Sequence, residues 1–178
     1  MTPQTDESFD MRVPEGDDRE RRVCGTCGFI DYQNPRIVAG SVVTRGAKIL
    51  LCKRAIEPRK GYWTLPAGYM ELGETVEAAA AREAMEEACA KIDIDRVLAV
   101  YSVPRIGQVQ IMFRAELESE IAAGPESLEV GMFDWKDIPW SDLAFPTVVW
   151  ALTHYAQSRG LETFAPYATP PGTEKITT

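Results

Sequence analysis

The sequence predicts a mixed α/β (α+β) fold, in which helices cover a mixed β-sheet and a short ribbon-like hairpin precedes it. Short runs rich in β-branched residues alternate with two segments of helical periodicity along the chain. The order of these runs favours a mixed sheet with helices on its faces. The 178 residues, 45% of them hydrophobic, are enough for one domain with a sizeable core.

Turn residues bound the predicted strands. A hairpin turns near Gly46 between two apolar runs, and Pro66 ends a short apolar strand. Apolar residues at helical spacing mark the helices. In chain order, the predicted strands are 37–43, 48–53, 62–65, 97–103, 109–115 and 130–135, and the predicted helices are 75–88 and 147–157.

We expect four regions along the chain. Residues 1–22 and 161–178 are polar and contain Pro and Gly, so both are predicted to be flexible. Residues 23–35 form the ribbon-like hairpin, and 36–160 form the main domain.

The chain is acidic, with a net charge of −8, a pI near 4.8 and no long cluster of Lys or Arg. A surface that binds nucleic acid or anionic lipid needs such a cluster, so we expect neither partner. No apolar run approaches the roughly 20 residues of a membrane span, and the acidic start differs from signal and transit peptides. We therefore expect a cytoplasmic protein, which would bind an anionic ligand through a positive centre such as a metal ion.

Five glutamates lie between residues 74 and 87, in a segment that favours a helix. On that helix Glu83, Glu86 and Glu87 fall within about 100° of one another. The opposite face, which we expect to pack against the sheet, consists of Ala81, Ala84, Met85 and Ala88. Thr75 suits the N-cap, and glycines in the preceding loop allow Glu71 and Glu74 to approach the carboxylate face.

A solvated acidic face is the simplest interpretation of this helix. Like charges three and four residues apart repel by about a few tenths of a kcal/mol, and only Arg82 lies where it can offset them. Clustered carboxylates become favourable around a hard dication, and ligation by oxygen alone favours Mg²⁺ or Mn²⁺ over zinc. The pattern therefore favours a metal-binding helix.

The spacing G-x5-E-x7-R-E-x2-E-E resembles the Nudix box, whose specified positions here are Gly68, Glu74, Arg82, Glu83, Glu86 and Glu87. The resemblance implies a Nudix-type fold and a hydrolase that uses Mg²⁺ or Mn²⁺. Such an enzyme cleaves the pyrophosphate bond of a nucleoside diphosphate linked to a second group. The chain departs from the pattern at Cys89, where a glycine would serve a left-handed turn. We expect a cost on the order of 1 kcal/mol there, or a different exit from the helix.

The resemblance also implies roles for these residues. Glu86 and Glu87 are the main metal ligands, with Glu83 beside them. Arg82 braces the carboxylates through charge-assisted hydrogen bonds, and Glu74 packs the loop onto the helix.

A catalytic base is expected in "GPESLEVGMFDWKDIP", because relatives often carry there a further glutamate that binds metal or takes the proton. The segment offers Glu126 and Glu129. Glu129 is the preferred base and additional metal ligand, and a structural loop carboxylate is the alternative.

Candidates for substrate contact lie near the box. Arg54 ends the hairpin that faces the box loop, Gly68 belongs to the loop itself, and Trp63 or Tyr62 could stack on a purine. Positions in the core or on the surface are the alternative for the larger side chains. His154, on an apolar helix, is expected to be a packed residue rather than a catalyst.

The N-terminal hairpin adds a second resemblance. Cys24 and Cys27 have the spacing of a metal knuckle or its remnant, and "VCGTCGFIDYQNPRIVAG" with the hairpin after it resembles the Nudix branch that bears a zinc ribbon. That branch includes NADH and FAD pyrophosphatases. A structural zinc needs four ligands, so we expect this pair to remain without zinc unless another chain completes the site.

The substrate is expected to be FAD or an ADP-ribose-like dinucleotide, cleaved to two monophosphates. The S-Q-P-W-P-F-P-x-S-like motif of NADH pyrophosphatases is replaced here by "YSVPRIGQVQIMFRA", which weakens the NADH assignment. The alternatives are an NADH pyrophosphatase and a non-catalytic nucleotide sensor with the Nudix fold. A small-molecule partner and a homodimer complete the expectations.

Overall fold

A computed structural model describes residues 8–173 of the chain. The chain divides into two compact units, Met1–Asn34 and Pro35–Thr178.

The smaller unit contains a three-stranded antiparallel sheet of β1 (Phe9–Arg12), β2 (Arg21–Cys24) and β3 (Ile30–Asp31). Residues 9–12 and 21–22 thus form strands within the segment predicted to be flexible, and its flexibility stays a prediction. Backbone pairing orders them, and an ion pair between Asp17 Oδ2 and Arg21 Nε, 2.9 Å apart, holds the connection. The predicted flexibility of residues 1–7 lies outside the described part of the chain.

The larger unit contains an eight-stranded mixed sheet. Six of its strands follow the order β10-β5-β4-β9-β8-β11, in which β4 and β9 are parallel, as are β8 and β11. Strand β6 pairs with β5, and β7 pairs with β4. The strands are β4 (Arg36–Arg45), β5 (Lys48–Arg54), β6 (Trp63–Thr64), β7 (Ala67–Tyr69), β8 (Ile92–Val103), β9 (Gln108–Leu117), β10 (Ser127–Asp134) and β11 (Tyr167–Ala168).

Two helices cover opposite faces of this sheet, α1 (Val76–Ala88) and α2 (Pro146–Ser158). Alternation along β4 sends Val42 into a core with Leu152 of α2, and Val43 into a core with Ala84 of α1. The predicted mixed sheet between helices is therefore confirmed. None of the helices within residues 8–173 is long and apolar enough to cross a membrane.

The C-terminal strand β11 lies within the segment predicted to be flexible. Tyr167 pairs with Ala99 of β8, and its ring stacks on the buried ring of His154 with centroids 4.4 Å apart. These contacts attach residues 167–168 to the sheet, and the flexibility of the segment stays a prediction. Residues 174–178 lie outside the described part of the chain.

Helix α1 begins as predicted and packs through a partly different face. The Oγ1 of Thr75 accepts a hydrogen bond from Ala78 N–H, which confirms the N-cap. Ala84 and Ala88 pack against the sheet together with the buried side chains of Glu83 and Glu87, whereas Met85 is 47% exposed. Of the predicted packing face, Ala84 and Ala88 are buried as expected and Met85 is not, so the buried face extends instead to Glu83 and Glu87.

Close backbone approach also positions β7. A β-carbon on Gly40 of β4 would lie 2.3 Å from the Cβ of Ala67, so only glycine allows the two strands to meet here. Strand β7 carries the first glycine of the box, Gly68, and its pairing with Ala39 places that glycine beside α1.

Helix α1 ends in a left-handed turn at Cys89, with φ of 48° and ψ of 28°. Cys89 N–H donates to Met85 O at 2.9 Å, and Ala90 N–H donates to Ala84 O at 3.1 Å. The turn typical of glycine is thus retained with a cysteine in it, which favours the predicted strain over a different exit.

Replacing Cys89 with glycine should therefore stabilise the protein. Relief of the left-handed strain exceeds the greater conformational entropy of glycine in the unfolded chain, so we expect a gain of about 0.5–1 kcal/mol. The melting temperature should rise by roughly 1–4 °C. Cys89→Ala is the control, because it keeps the β-carbon, and it should leave the melting temperature unchanged. Equal melting temperatures for Cys89→Gly and Cys89→Ala would show that the left-handed conformation of Cys89 is not strained.

Candidate active site

A cavity of about 940 Å³ opens in the larger unit. One wall consists of α1 and the box loop, including Gly68, Arg82 and Glu87. A second wall consists of the end of β8, the start of β9, and Thr169 and Thr173, which follow β11. Loop 55–59 and the start of α2 also contribute residues. The cavity is large enough for a dinucleotide-sized ligand.

The guanidinium of Arg82 lies at the centre of the acidic wall. It contacts carboxylate oxygens of Glu74 at 2.8 Å, Glu83 at 2.6 Å and Glu86 at 2.9 Å. Its Nη2 also donates to the backbone oxygen of Tyr69 at 2.9 Å. The structure therefore brings together the residues that the sequence predicts as a brace and its carboxylates.

Glu74 ties the loop to the helix. One of its oxygens accepts Glu71 N–H at 2.6 Å, while both of its oxygens accept hydrogen bonds from Arg82. The hydrogen bonds from Arg82, followed by the one from Glu71, lower the pKa of Glu74. A charged Glu74 thus closes the box loop over the first turns of α1.

Gly68 permits the loop to touch the carboxylates. A β-carbon at this position would lie 2.4 Å from the carboxylate carbon and oxygens of Glu83. Any side chain would therefore displace the Glu83 carboxylate, which explains glycine at this position in physical terms.

Glu87 is the most deeply buried carboxylate of the box, with 6% of the residue exposed. Its Oε2 has no hydrogen-bond partner among the described residues. Burial, reinforced by the charge of Glu83, raises the pKa of Glu87 to about 8. Burial likewise raises the pKa of Glu83. Both groups would be stabilised in their charged form by a nearby cation.

The donor set at this wall fits a hard dication. Glu83, Glu86, Glu87 and Glu126 supply only oxygen ligands, and one buried oxygen of Glu87 has no protein partner. Within residues 8–173, no three acidic, His or Cys side chains are already arranged around a common metal position. Arg82 holds two of the carboxylates instead, so metal binding requires a local change of side-chain conformation.

Glu126 and Glu129 differ in position. Glu126 lines the cavity, and its negative charge helps to raise the pKa of both Glu83 and Glu87. Glu129 lies on β10, where its Oε2 is 3.6 Å from the Nζ of Lys53, and it does not line the cavity. The structure thus brings Glu126, rather than the preferred Glu129, to the box carboxylates.

Close packing of the preceding glycine explains the position of Glu126. Gly124 N–H donates to Glu87 O at 3.0 Å, and a β-carbon on Gly124 would lie 1.7 Å from Glu86 O. The loop is therefore held directly against the C-terminal part of α1. This contact joins segments more than 35 residues apart, so the local sequence did not indicate Glu126.

Of the residues predicted to contact substrate, some line the cavity and others do not. Arg54 lines the cavity, where its Nε donates to Pro58 O at 2.8 Å and its guanidinium lies over the ring of Phe145. Trp63 is instead buried against Phe133, with ring centroids 4.9 Å apart, and does not line the cavity, so its contact with substrate stays a prediction from the sequence. Tyr62 does not line the cavity either. The aromatic residues that do are Tyr69, Phe145 and Trp150.

The cysteine pair belongs to the smaller unit. Cys24 is buried and Cys27 is exposed. Backbone hydrogen bonds from Cys27 and Thr26 lower the pKa of Cys24, as in a knuckle that favours thiolate. Zinc binding by this pair stays a prediction from the sequence.

Two family models match the chain. The NUDIX domain model matches residues 34–151, and the Nudix N-terminal model, a zinc-ribbon family, matches residues 7–33. A crystal structure of a NUDIX hydrolase from Nitrosomonas europaea is 45% identical, with a TM-score of 0.84, and the match covers 90% of this chain and 93% of that one.

Two curated relatives are also similar. An ADP-ribose pyrophosphatase from Methanocaldococcus jannaschii is 35% identical over 113 residues, which cover 61% of this chain and 67% of that protein. The NAD-capped RNA hydrolase NudC from Citrobacter koseri is 32% identical over 140 residues, which cover 68% of this chain and 54% of that protein. The chain thus spans only about half of NudC. The predicted assignment to a hydrolase family with this box is confirmed, and the chain belongs to the NUDIX domain family.

Proposed function

We propose that this chain hydrolyses the pyrophosphate bond of a nucleoside diphosphate linked to a second group, with ADP-ribose and FAD as the preferred substrates. The observation that carries the proposal is the group of Glu83, Glu86 and Glu87 on the wall of a cavity of about 940 Å³, where Arg82 pairs with Glu83 and Glu86 and Glu87 is buried beside them. The similarity to an ADP-ribose pyrophosphatase supports the choice of ADP-ribose. FAD rests on the resemblance of the hairpin and box to FAD pyrophosphatases.

The reaction adds water across the bridge. An oxygen from water bonds to one phosphorus, the bond between that phosphorus and the bridging oxygen breaks, and each product keeps one phosphate. ADP-ribose would give AMP and ribose 5-phosphate, and FAD would give AMP and FMN.

The acidic residues would hold Mg²⁺ or Mn²⁺, which supplies Lewis-acid stabilisation of phosphoryl oxygens and lowers the pKa of bound water. Glu86 and Glu87 are the proposed main ligands, with Glu83 beside them. Arg82 keeps Glu83 and Glu86 close together, and Arg54, which lines the cavity, is proposed to pair with a phosphate oxygen. Glu126, exposed at the cavity, is proposed to accept the proton of the attacking water in place of Glu129.

The type of ligand, the cellular location and the oligomeric state are part of this proposal. A small-molecule dinucleotide, a cytoplasmic location and a homodimer remain predictions. The alternative of an NADH pyrophosphatase also stays in the comparison, and the similarity to a protein named NAD-capped RNA hydrolase supports testing a nicotinamide dinucleotide.

Hydrolysis of ADP-ribose should depend on the box glutamates. Glu86→Gln and Glu87→Gln each keep the size of the side chain and remove a charge that binds metal, so kcat should fall by roughly 100-fold or more. Steady-state assays with Mg²⁺ or Mn²⁺ and identification of the products measure this. Glu77→Gln is the matched control, because Glu77 is an exposed glutamate on the same helix that does not line the cavity.

Unchanged turnover in both Glu86→Gln and Glu87→Gln would overturn the mechanism. Parallel assays with FAD, ADP-ribose and NADH test the substrate. A kcat/KM for NADH at least about tenfold above the other two would reverse the ranking. No hydrolysis of any of the three would favour the nucleotide sensor.

Glu126 and Glu129 should respond differently to the same substitution. Glu126→Gln removes a carboxylate from the cavity, so kcat should fall by roughly 10- to 100-fold. Glu129→Gln removes only an exposed partner of Lys53, so kcat should stay within about twofold. Measurement of kcat for both variants at one pH decides between the two carboxylates. A larger loss in Glu129→Gln would restore the choice that the sequence favours.

Binding of Mn²⁺ should weaken as the pH falls below the pKa of Glu87. Burial raises that pKa to about 8, so the carboxyl is protonated below this pH and must lose its proton to bind metal. The dissociation constant should rise by up to about tenfold per pH unit below 8 and level off above it. Calorimetric titration of Mn²⁺ between pH 6.5 and 9 measures this dependence. The same slope in Glu87→Gln would assign the proton to another group.

A further inference from the structure

The segment after α2 returns along the edge of the sheet and ends at the cavity. Tyr167 and Ala168 pair in parallel with Ala99 and Val100 of β8. The ring of Tyr167 lies flat on that of His154, at an interplanar angle of 7°, and His154 Nδ1 is 2.8 Å from the hydroxyl oxygen of Tyr101. We call residues 165–173 the C-terminal segment. Its start is held by the backbone pairing of residues 167–168 and by the stacking of Tyr167 on the buried His154.

Thr169 extends the attachment by one residue through its side chain. Its Oγ1 accepts Ser102 N–H at 2.8 Å and donates to Ser102 O at 3.1 Å. A side-chain hydroxyl thus takes both hydrogen bonds that a continuing strand would offer to Ser102. Beyond it, a turn brings Thr173 N–H to Pro170 O at 3.4 Å. Thr169 and Thr173 both line the cavity.

The wall that contains these threonines differs chemically from the acidic wall. Its other lining groups include the hydroxyl-bearing Ser102, the amide of Gln110 and the indole of Trp150. Gln110 Nε2 donates to Gln108 Oε1 at 3.0 Å, and Gln108 Nε2 is 2.9 Å from the hydroxyl oxygen of Tyr69. Hydroxyls, amides and an aromatic edge suit a sugar or a heterocyclic base, whereas the opposite wall suits a metal-bound diphosphate.

We propose that the C-terminal segment is a substrate-binding wall of this cavity, which contacts the sugar or base of the substrate, and that Thr169 is the residue that positions it. The proposal rests on the proposed hydrolase function. Thr169 acts through its two bonds to Ser102, which hold the segment at the cavity. Loss of that hydroxyl should weaken binding of the organic part of the substrate and leave the acidic wall intact.

The first test separates KM from kcat. Thr169→Val keeps the shape of the side chain and removes the hydroxyl, so the KM for ADP-ribose should rise at least fivefold while kcat stays within twofold. Thr169→Ser restores the hydroxyl and should restore the KM. Thr153→Val is the matched control, because the Oγ1 of Thr153 also bonds a backbone oxygen, that of Val149, on the exposed side of α2. Its KM should equal that of the wild type.

The second test uses hydrogen exchange and needs no turnover. The amide of Ser102 should exchange faster in Thr169→Val, and added ADP-ribose with Mn²⁺ should slow exchange in residues 165–173 of the wild type. An unchanged KM in Thr169→Val despite faster exchange at Ser102 would overturn the proposal, as would unchanged exchange in 165–173 at saturating ADP-ribose. Absence of hydrolysis by the wild type would contradict the proposed function instead, and the exchange of 165–173 with bound ADP-ribose would still decide the role of the segment.

Discussion

The acidic site depends on the single guanidinium of Arg82. Three carboxylates from the loop and helix contact it at 2.6–2.9 Å, and without a cation among them their mutual repulsion would oppose the folded arrangement. The same side chain holds the backbone of Tyr69, so one residue fixes the loop, the helix surface and the strand that carries Gly68. Fixing these three elements relative to one another is what leaves the glutamates clustered on the cavity wall.

Arg82 does not compensate every charge on α1. Glu87 is turned toward the sheet, where burial raises its pKa to about 8, and one of its oxygens has no partner in the described residues. A buried carboxyl of this kind is costly to ionise unless positive charge is supplied from outside the protein. Arg82 thus stabilises the carboxylates that it contacts, whereas Glu87, on a neighbouring turn of the same helix, needs an additional positive charge to ionise. This division explains why the helix is stable as part of the fold and still suited to bind a dication.

The box was predicted because its spacing resembles that of the Nudix box, and the resemblance implied the contact of Arg82 with Glu74, eight residues away. The N-cap at Thr75 follows from the local sequence, because a threonine directly precedes the helical segment. Glu126 and Glu129 could not be separated in this way. The register of β10 against β5 shifts between Ser127 and Glu129, so simple alternation along the strand does not fix which carboxylate faces the cavity. The burial of Trp63 against Phe133 and the pairing of the C-terminal strand were not predicted for a related reason, because these contacts join segments distant in sequence.

The register of strand β4 determines both the packing of the core and the position of the box loop. It pairs with β5, β7 and β9, and its successive residues are buried on opposite faces, Val42 toward α2 and Val43 toward α1. Gly40 must remain opposite Ala67 for β7 to approach. A single inserted or deleted residue within β4 would exchange its two faces and separate Gly68 from Glu83 at once. We therefore expect a change of length to be tolerated in the surface connections more readily than within residues 40–43 of β4, where only a substitution keeps both faces in place.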